Sequence, residues 1–188
     1  MHFKHPLLLA SGSPRRRQLL AEAGFAFSLK MKSVPEDFPA DMPATEVPVM
    51  LARRKAEALR DELTDEVVLT ADTVVVVDGD ILNKPADEAE AFAMLSRLSG
   101  RMHQVITGVC LLSREKTVTL SDLTEVYFRP LSADEINYYI RQYRPYDKAG
   151  AYGVQEWIGM VGIEKMTGSY FNVMGLPVHR VYGELMKW

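Results

Sequence analysis

Residues 67–77, Val67-Val68-Leu69-Thr70-Ala71-Asp72-Thr73-Val74-Val75-Val76-Val77, form an apolar, largely β-branched run that reads as a buried strand. Any fold this chain adopts must cover that strand and also accommodate Asp72 at its centre. Burying a carboxylate costs several kcal/mol, of order the effective desolvation penalty of an ion, unless it is paired or holds a metal. Asp72 therefore either marks a strand end, where it begins a turn or pairs with a structural arginine, or serves as a metal ligand, a general base, or both.

The flanking segments supply the rest of an α/β pattern. Residues 7–10 read as a first buried strand and 14–23 as a helix stopped by Gly24. Phe25, Phe27, Leu29 and Met31 alternate as in a strand. Prolines at 35, 39 and 43 make 33–44 a loop, after which Thr45 is expected to cap a helix to about 63. Asp78-Gly79 is a hairpin turn returning through Ile81-Leu82. Asp87 with Glu90 resembles a capping box for a helix ending at Gly100, and Ser132 with Glu135 is a fuller one for a helix to about 143. Strands are expected over 102–113, 117–129 and 160–165, and a last helix opens at Pro177. The expected class is α/β with a mixed sheet, one domain over 1–188 or two closely joined lobes.

Charge and composition narrow the function. A net charge of −3 argues against broad nucleic-acid binding while allowing a local basic pocket. The one cysteine, Cys110, lies in an apolar run and reads as inert core, and no Cys/His cluster has zinc spacing. The opening apolar run is too short for a signal-peptide core, and nothing approaches a membrane span, so a cytoplasmic protein is expected.

The local basic pocket has an obvious seat. Ser11-Gly12-Ser13-Pro14-Arg15-Arg16-Arg17 puts a capping serine and a first-turn proline at a helix start, followed by three arginines. A helix N-terminus prefers acidic side chains, so clustered cations there suit a bound anion. Free N–H groups, two serine hydroxyls and guanidiniums make a phosphate cradle, although a solvated basic helix start has the same sequence. Lys55 lies on the stripe of Leu51, Ala52, Leu59 and Leu63, either snorkelling at its edge or aimed into a site. Lys84, held extended by Pro85, could be a positioned charge or a surface lysine. The stretch from Tyr146 to Gln155 is rich in glycine and aromatics, and could bring its backbone near a planar ligand whose edge Gln155 reads.

In order along the chain, Ala10-Ser11-Gly12-Ser13-Pro14-Arg15-Arg16, Ala71-Asp72-Thr73-Val74, Asn83-Lys84-Pro85, Leu98-Ser99-Gly100, Thr107-Gly108, Asp147-Lys148-Ala149-Gly150-Ala151-Tyr152-Gly153-Val154-Gln155, Gly168-Ser169-Tyr170 and Gly175-Leu176-Pro177 resemble the Maf family of nucleoside triphosphate pyrophosphatases. The resemblance implies two α/β lobes about an elongated mixed sheet with a central cleft, similar to inosine triphosphate pyrophosphatase. It implies hydrolysis of the α–β phosphoanhydride with a divalent metal, Mg²⁺ or Mn²⁺. Asp72 matches the family's proton acceptor, and Ser11, Arg16, Glu36, Lys55 and Lys84 match residues lining the phosphate and metal site. Glu36 has no local distinction and enters through the resemblance alone. Arg15, Thr73 and Gln155 stand as in the branch that prefers dTTP and UTP.

These expectations define a metal pair, Glu36 and Asp72; a catalytic set, Asp72, Lys55 and Lys84; and a substrate-binding set, Ser11, Arg15, Arg16, Thr73 and Gln155. The expected partner is a nucleoside triphosphate, with no nucleic acid and no membrane, and a homodimer is compatible. Two rivals stay open: a non-catalytic, nucleotide-dependent regulator of cell division, and a pyrophosphatase for inosine, xanthosine or modified nucleotides.

Overall fold

Strand β1, Leu7–Leu9, is buried at every residue and pairs in parallel on both sides. One neighbour is β3, Val67–Val77, the apolar run with Asp72 at its middle. The other is β2, Ser28–Leu29. These assignments come from a computed structural model, which describes residues 3–188. The Asp78-Gly79 turn forms as expected, both residues at positive φ (52° and 86°), and leads to β4, Asp80–Leu82, antiparallel to β3. Strands β5, Met102–Leu112, and β6, Thr117–Phe128, are neighbours joined by a turn in which the Ser113 N–H donates to the Lys116 carbonyl. Strand β7, Ile163–Thr167, runs antiparallel to β6 with an irregularity at Tyr127/Phe128. The result is a seven-stranded mixed sheet in the order β2-β1-β3-β5-β6-β7, with β4 off β3.

The chain divides into two compact units, one comprising the segment up to Asp72 with 107–122 and 175–188, the other 73–106 with 123–174. The first unit holds helices α1, Pro14–Glu22, α2, Val47–Glu57, and α7, Val178–Leu185. Its core packs Leu8, Ala52, Ala56, Leu59, Leu63, Val68, Cys110 and Leu112 together. Cys110 is fully buried, and burial pushes its thiol up to about 12, the inert core thiol expected. The hydroxyl of Thr70 donates to the Ala52 carbonyl at 2.6 Å, which fastens β3 to α2.

Three expectations need correction here. Thr45 does not cap α2: Glu46 holds that position with no side-chain cap, and Pro48 sits in the first turn. The helix stops at Glu57, and only a 3₁₀ turn, Arg60–Glu62, continues toward Leu63. The alternating segment 25–31 yields only the two-residue β2, because it lies at the sheet edge with Leu29 49% and Met31 64% exposed.

The second unit holds α3, Glu88–Leu98, α4, Ala133–Tyr143, α5, Trp157–Gly162, and α6, Tyr170–Val173. The Ser132/Glu135 capping box is complete. At α3 the Asp87 carboxylate accepts from the Glu90 N–H, but Glu90 reaches back to the Ala86 N–H instead of closing the box. The strand expected over 160–165 begins three residues later, because α5 takes up the glycine-rich stretch before it. A β-carbon at Gly159 would lie 1.9 Å from the Val154 carbonyl oxygen, so this turn closes only with glycine there.

A buried histidine in this unit carries a pH prediction. His103 is 1% exposed; its Nε2 lies 2.7 Å from the Tyr152 hydroxyl, and its Nδ1 has no hydrogen-bond partner among the described residues. Its ring meets those of Phe128 and Tyr152 edge-on at 5.1 and 5.4 Å. Burial lowers its pKa from 6.5 to about 3, so the folded chain holds it neutral. The unfolded chain binds this proton below pH 6.5 and the folded chain only near 3, so stability from this group is present above 6.5 and lost as pH falls through that window. The loss is on the order of 1.4 kcal/mol per pH unit. In urea melts between pH 6 and 4, His103→Phe should lose stability less steeply than the parent by roughly that slope. Equal slopes would show that His103 is protonated in the fold.

Candidate active site

The start of α1 is built as its sequence requires. Ser13 is the N-cap, its hydroxyl accepting from the Arg16 N–H, and its own N–H donates to the Ser11 hydroxyl at 3.2 Å. No acidic residue lies in the first turn. Ser11 is buried, Arg15 and Arg16 are half-buried, and Arg17 is exposed. Arg16 donates from Nε to the Gly175 carbonyl at 2.7 Å and from Nη1 to the Ala71 carbonyl at 2.8 Å, with a longer contact to the Ser11 hydroxyl at 3.4 Å. The guanidinium thus joins the helix start, the residue before Asp72 and the Gly175-Leu176-Pro177 turn. Burial lowers its pKa to about 10; the Asp72 carboxylate opposes that shift, Arg15 adds to it, and Glu36 opposes it. Arg16 remains cationic at neutral pH.

Lys55, two turns into α2, occupies the centre of the site. Its ammonium lies 2.7 Å from Asp72 Oδ1 and 2.7 Å from Glu36 Oε1. The Lys55 and Asp72 side chains are 18% and 16% exposed, and Glu36 is 56% exposed. Lys55 is therefore turned onto two carboxylates and does not snorkel at the stripe's edge. Asp72 sits in mid-strand, not at a strand end, with Lys55 as its hydrogen-bonded partner and the Arg16 guanidinium in electrostatic reach. Ser11, Arg16, Glu36, Lys55 and Asp72 all belong to the first unit.

Two carboxylates converging on one ammonium are a donor set suited to a divalent cation. Mg²⁺ typically takes one or two protein carboxylates and completes its shell with water and substrate phosphates. Among the described residues no group of three or more His, Cys, Asp and Glu is gathered for a metal; Glu36 and Asp72 could offer a cation two carboxylates.

The second unit carries the remaining expected residues. Thr73 follows Asp72 directly in β3 and is half-buried. Lys84 is exposed. The carbonyl of Asn83, just before it, accepts from the Gly150 N–H at 3.1 Å, which ties the lysine's loop to the 147–155 segment. Gly150 has φ 69°, and a β-carbon there would press on Val75 at 2.9 Å. Gln155 is exposed at the tip of a turn whose preceding residues, 151–154, are buried. That turn closes through the Glu156 N–H on the Gly153 carbonyl at 3.0 Å.

Sequence reasoning gave Lys148, Tyr139 and Glu156 no role. Lys148 is a buried lysine, its ammonium 2.7 Å from Asp147 and 3.1 Å from Glu156. Its position inside the Asp147-Lys148-Ala149-Gly150 motif was a signal, but no periodicity marks a loop lysine as buried. Tyr139 lies on the inner face of α4, where an aromatic reads simply as core.

With this geometry in place, comparison with known proteins is informative. Residues 6–188 match the family described as Maf-like protein. The chain is 50% identical over 181 residues to the dTTP/UTP pyrophosphatase of Cytophaga hutchinsonii, covering 96% of this chain and 83% of that protein. It is 52% identical over 186 residues to the dTTP/UTP pyrophosphatase of Porphyromonas gingivalis, covering 97% and 94%. Among solved structures it resembles the Ham1 protein of Staphylococcus aureus, with TM-score 0.52 and 16% identity over 95% of this chain and 99% of that one. At that identity the likeness is one of fold.

Proposed function

The chain belongs to the Maf-like protein family, and we propose that it hydrolyses dTTP and UTP at the α–β anhydride, with Asp72 preparing the attacking water. It is an enzyme, a nucleoside triphosphate pyrophosphatase. The observation that carries the finer reading is the Glu36–Lys55–Asp72 cluster, with its aspartate embedded in an otherwise apolar strand. A retained mid-strand carboxylate of this kind is costly unless it is used.

A triphosphate brings about four negative charges, and cations must offset them before water can approach phosphorus. Arg16, Lys55 and Lys84 are the cations assigned to phosphate, with the Ser11 hydroxyl and the N–H groups at the start of α1 beside Arg16. Glu36 and Asp72 would hold Mg²⁺ or Mn²⁺, which when bound neutralises phosphate charge and polarises the phosphoryl group. Asp72 accepts a proton from water as its oxygen bonds to the α-phosphorus. The bond from that phosphorus to the bridging oxygen breaks, leaving a nucleoside monophosphate and pyrophosphate. Lys55, already bonded to Asp72, holds that carboxylate in place. Gln155 offers a donor and an acceptor to the mixed edge of thymine or uracil. Thr73 and Arg15 complete the base-facing set, Thr73 by its small size beside Asp72. The same reading takes residues 1–188 as one working domain in the cytoplasm, and among the described residues no helix is long and apolar enough to cross a membrane.

The test is product analysis. Assayed against dTTP, UTP, ATP, ITP and 7-methyl-GTP, the protein should release pyrophosphate fastest from dTTP and UTP. In ¹⁸O-labelled water the label should enter the monophosphate. Stepwise release of orthophosphate through a diphosphate would overturn the mechanism. Tight binding of dTTP with no turnover in the presence of metal would favour the non-catalytic regulator.

A further inference from the structure

Beneath the turn that presents Gln155 lies a closed polar network. The Tyr139 hydroxyl, on a fully buried side chain of α4, accepts from the Gly153 N–H at 3.0 Å and donates to Glu156 Oε2. Glu156 Oε1 lies 3.1 Å from the Lys148 ammonium, which also holds Asp147 at 2.7 Å. The Glu156 and Lys148 side chains are only 17% and 9% exposed, so this ion pair is well screened from water. Burial and the Glu156 hydrogen bond both raise the Tyr139 phenol above its ordinary range, so it stays protonated and able to donate.

The network touches the base-reading turn at one glycine. A β-carbon on Gly153 would lie 2.8 Å from Glu156 Cδ, 2.9 Å from Glu156 Oε2 and 3.1 Å from Gln155 Nε2. The Glu156 carboxylate and the Gln155 amide are thus both laid against the same bare backbone. A further N–H, from Gly159, bonds the Glu156 carbonyl at 3.0 Å and fixes the far side of the turn. Buried networks with every member satisfied rigidify what they hold. Gln155, exposed at the tip, has no such burial of its own and owes its placement to the residues beneath it.

We infer that Tyr139, Glu156 and Lys148 form a positioning clamp for Gln155, and that Glu156 sets base discrimination without touching the base. The inference rests on the reading of Gln155 as the residue that recognises thymine and uracil. A clamp of this kind acts on substrate recognition, so its loss should appear in KM and in the preference among bases, with the chemical step little changed. A merely structural network would instead lower the melting temperature and leave base preference alone.

The test compares the full chain with Glu156→Gln, Tyr139→Phe, Gln155→Ala and the double variant Gln155→Ala/Glu156→Gln. Glu156→Gln can still accept from Tyr139 and leaves Lys148 its Asp147 partner, so it is the gentler change; Tyr139→Phe removes one hydroxyl and reaches the clamp from its other end. Each of these two clamp variants should raise KM for dTTP about tenfold, the size of one charge-assisted hydrogen bond, and keep kcat within about twofold. The ratio of kcat/KM for dTTP to that for ATP should fall by about the same factor. In the Gln155→Ala background Glu156→Gln should add nothing to that ratio, because both act through one side chain. If Gln155→Ala lowers the ratio and both clamp variants leave it unchanged, the clamp is overturned and the base reading stands. If the two effects multiply, Glu156 acts independently of Gln155 and the inference also fails. If Gln155→Ala itself leaves the ratio unchanged, the base reading falls and takes the clamp's role with it.

Discussion

Asp72→Asn will bind dTTP nearly as the parent does and turn it over about 10²–10⁴-fold more slowly, the usual worth of a general base. The side chain keeps its size and planar shape, so β3 need not adjust. Lys55 keeps Glu36 as a charged partner at 2.7 Å, so the ammonium is not left unpaired. What disappears is the negative charge to which the proposed mechanism gives the proton or a share of a divalent cation. The competing account makes Asp72 a counter-ion for Lys55 and nothing more. On that account kcat stays within a few-fold of the parent, and the melting temperature changes little because Glu36 still pairs Lys55. Measuring kcat, dTTP affinity and melting temperature on one preparation separates the two. A variant near full turnover would remove Asp72 from the chemistry altogether.

The fold was legible wherever periodicity and punctuation agreed. The run 67–77, the Asp78-Gly79 turn and the Ser132/Glu135 capping box are local signals, and the structure contains each of them. Alternation at 25–31 misled because period two says nothing about whether neighbours exist on both sides, and this segment lies at the sheet edge. Residues 160–162 misled in the other direction: a strand was expected from 160, yet these residues close α5, whose tight turn Gly159 permits. At the site, Asp72 and Lys55 were visible one at a time as polar groups where apolar ones were expected. Their meeting at 2.7 Å was not visible, since it depends on how α2 settles against the sheet. Glu36 and Lys148 sit in loops without periodicity, so neither their burial nor their partners could be read in advance. Arg16 was expected to serve phosphate, and the structure adds that its Nε and Nη1 are committed to the Gly175 and Ala71 carbonyls. It supports the site's frame as well as any anion.

That frame depends on one glycine outside the site, and Gly108→Ala is expected to be among the most destabilising single substitutions in the chain. Gly108 lies in β5 beneath the first turn of α2. A β-carbon there would stand 2.3 Å from the Pro48 carbonyl carbon, 2.3 Å from the Val49 nitrogen and 2.5 Å from the Pro48 oxygen. All three are backbone atoms, so no rotamer change relieves the clash; the helix must lift or the strand must bend. Overpacking a core typically costs about 1–3 kcal/mol, and a contact with backbone on both sides belongs at or beyond the upper end. For a chain of this length that corresponds to a melting temperature lower by roughly 6–12 °C. Gly183→Ala is the control, because it lies within α7 with nothing near its missing β-carbon, and should be neutral or slightly stabilising. The same lift would carry Lys55 away from Asp72, since α2 moves as a rod and holds Lys55 two turns beyond the clash. The Gly108→Ala protein that still folds should therefore also show a lower kcat at temperatures well below its melting point. A variant that melts within about 2 °C of the parent would mean that α2 can shift freely over β5. The Lys55–Asp72 contact would then have to be held by some other packing than this close approach.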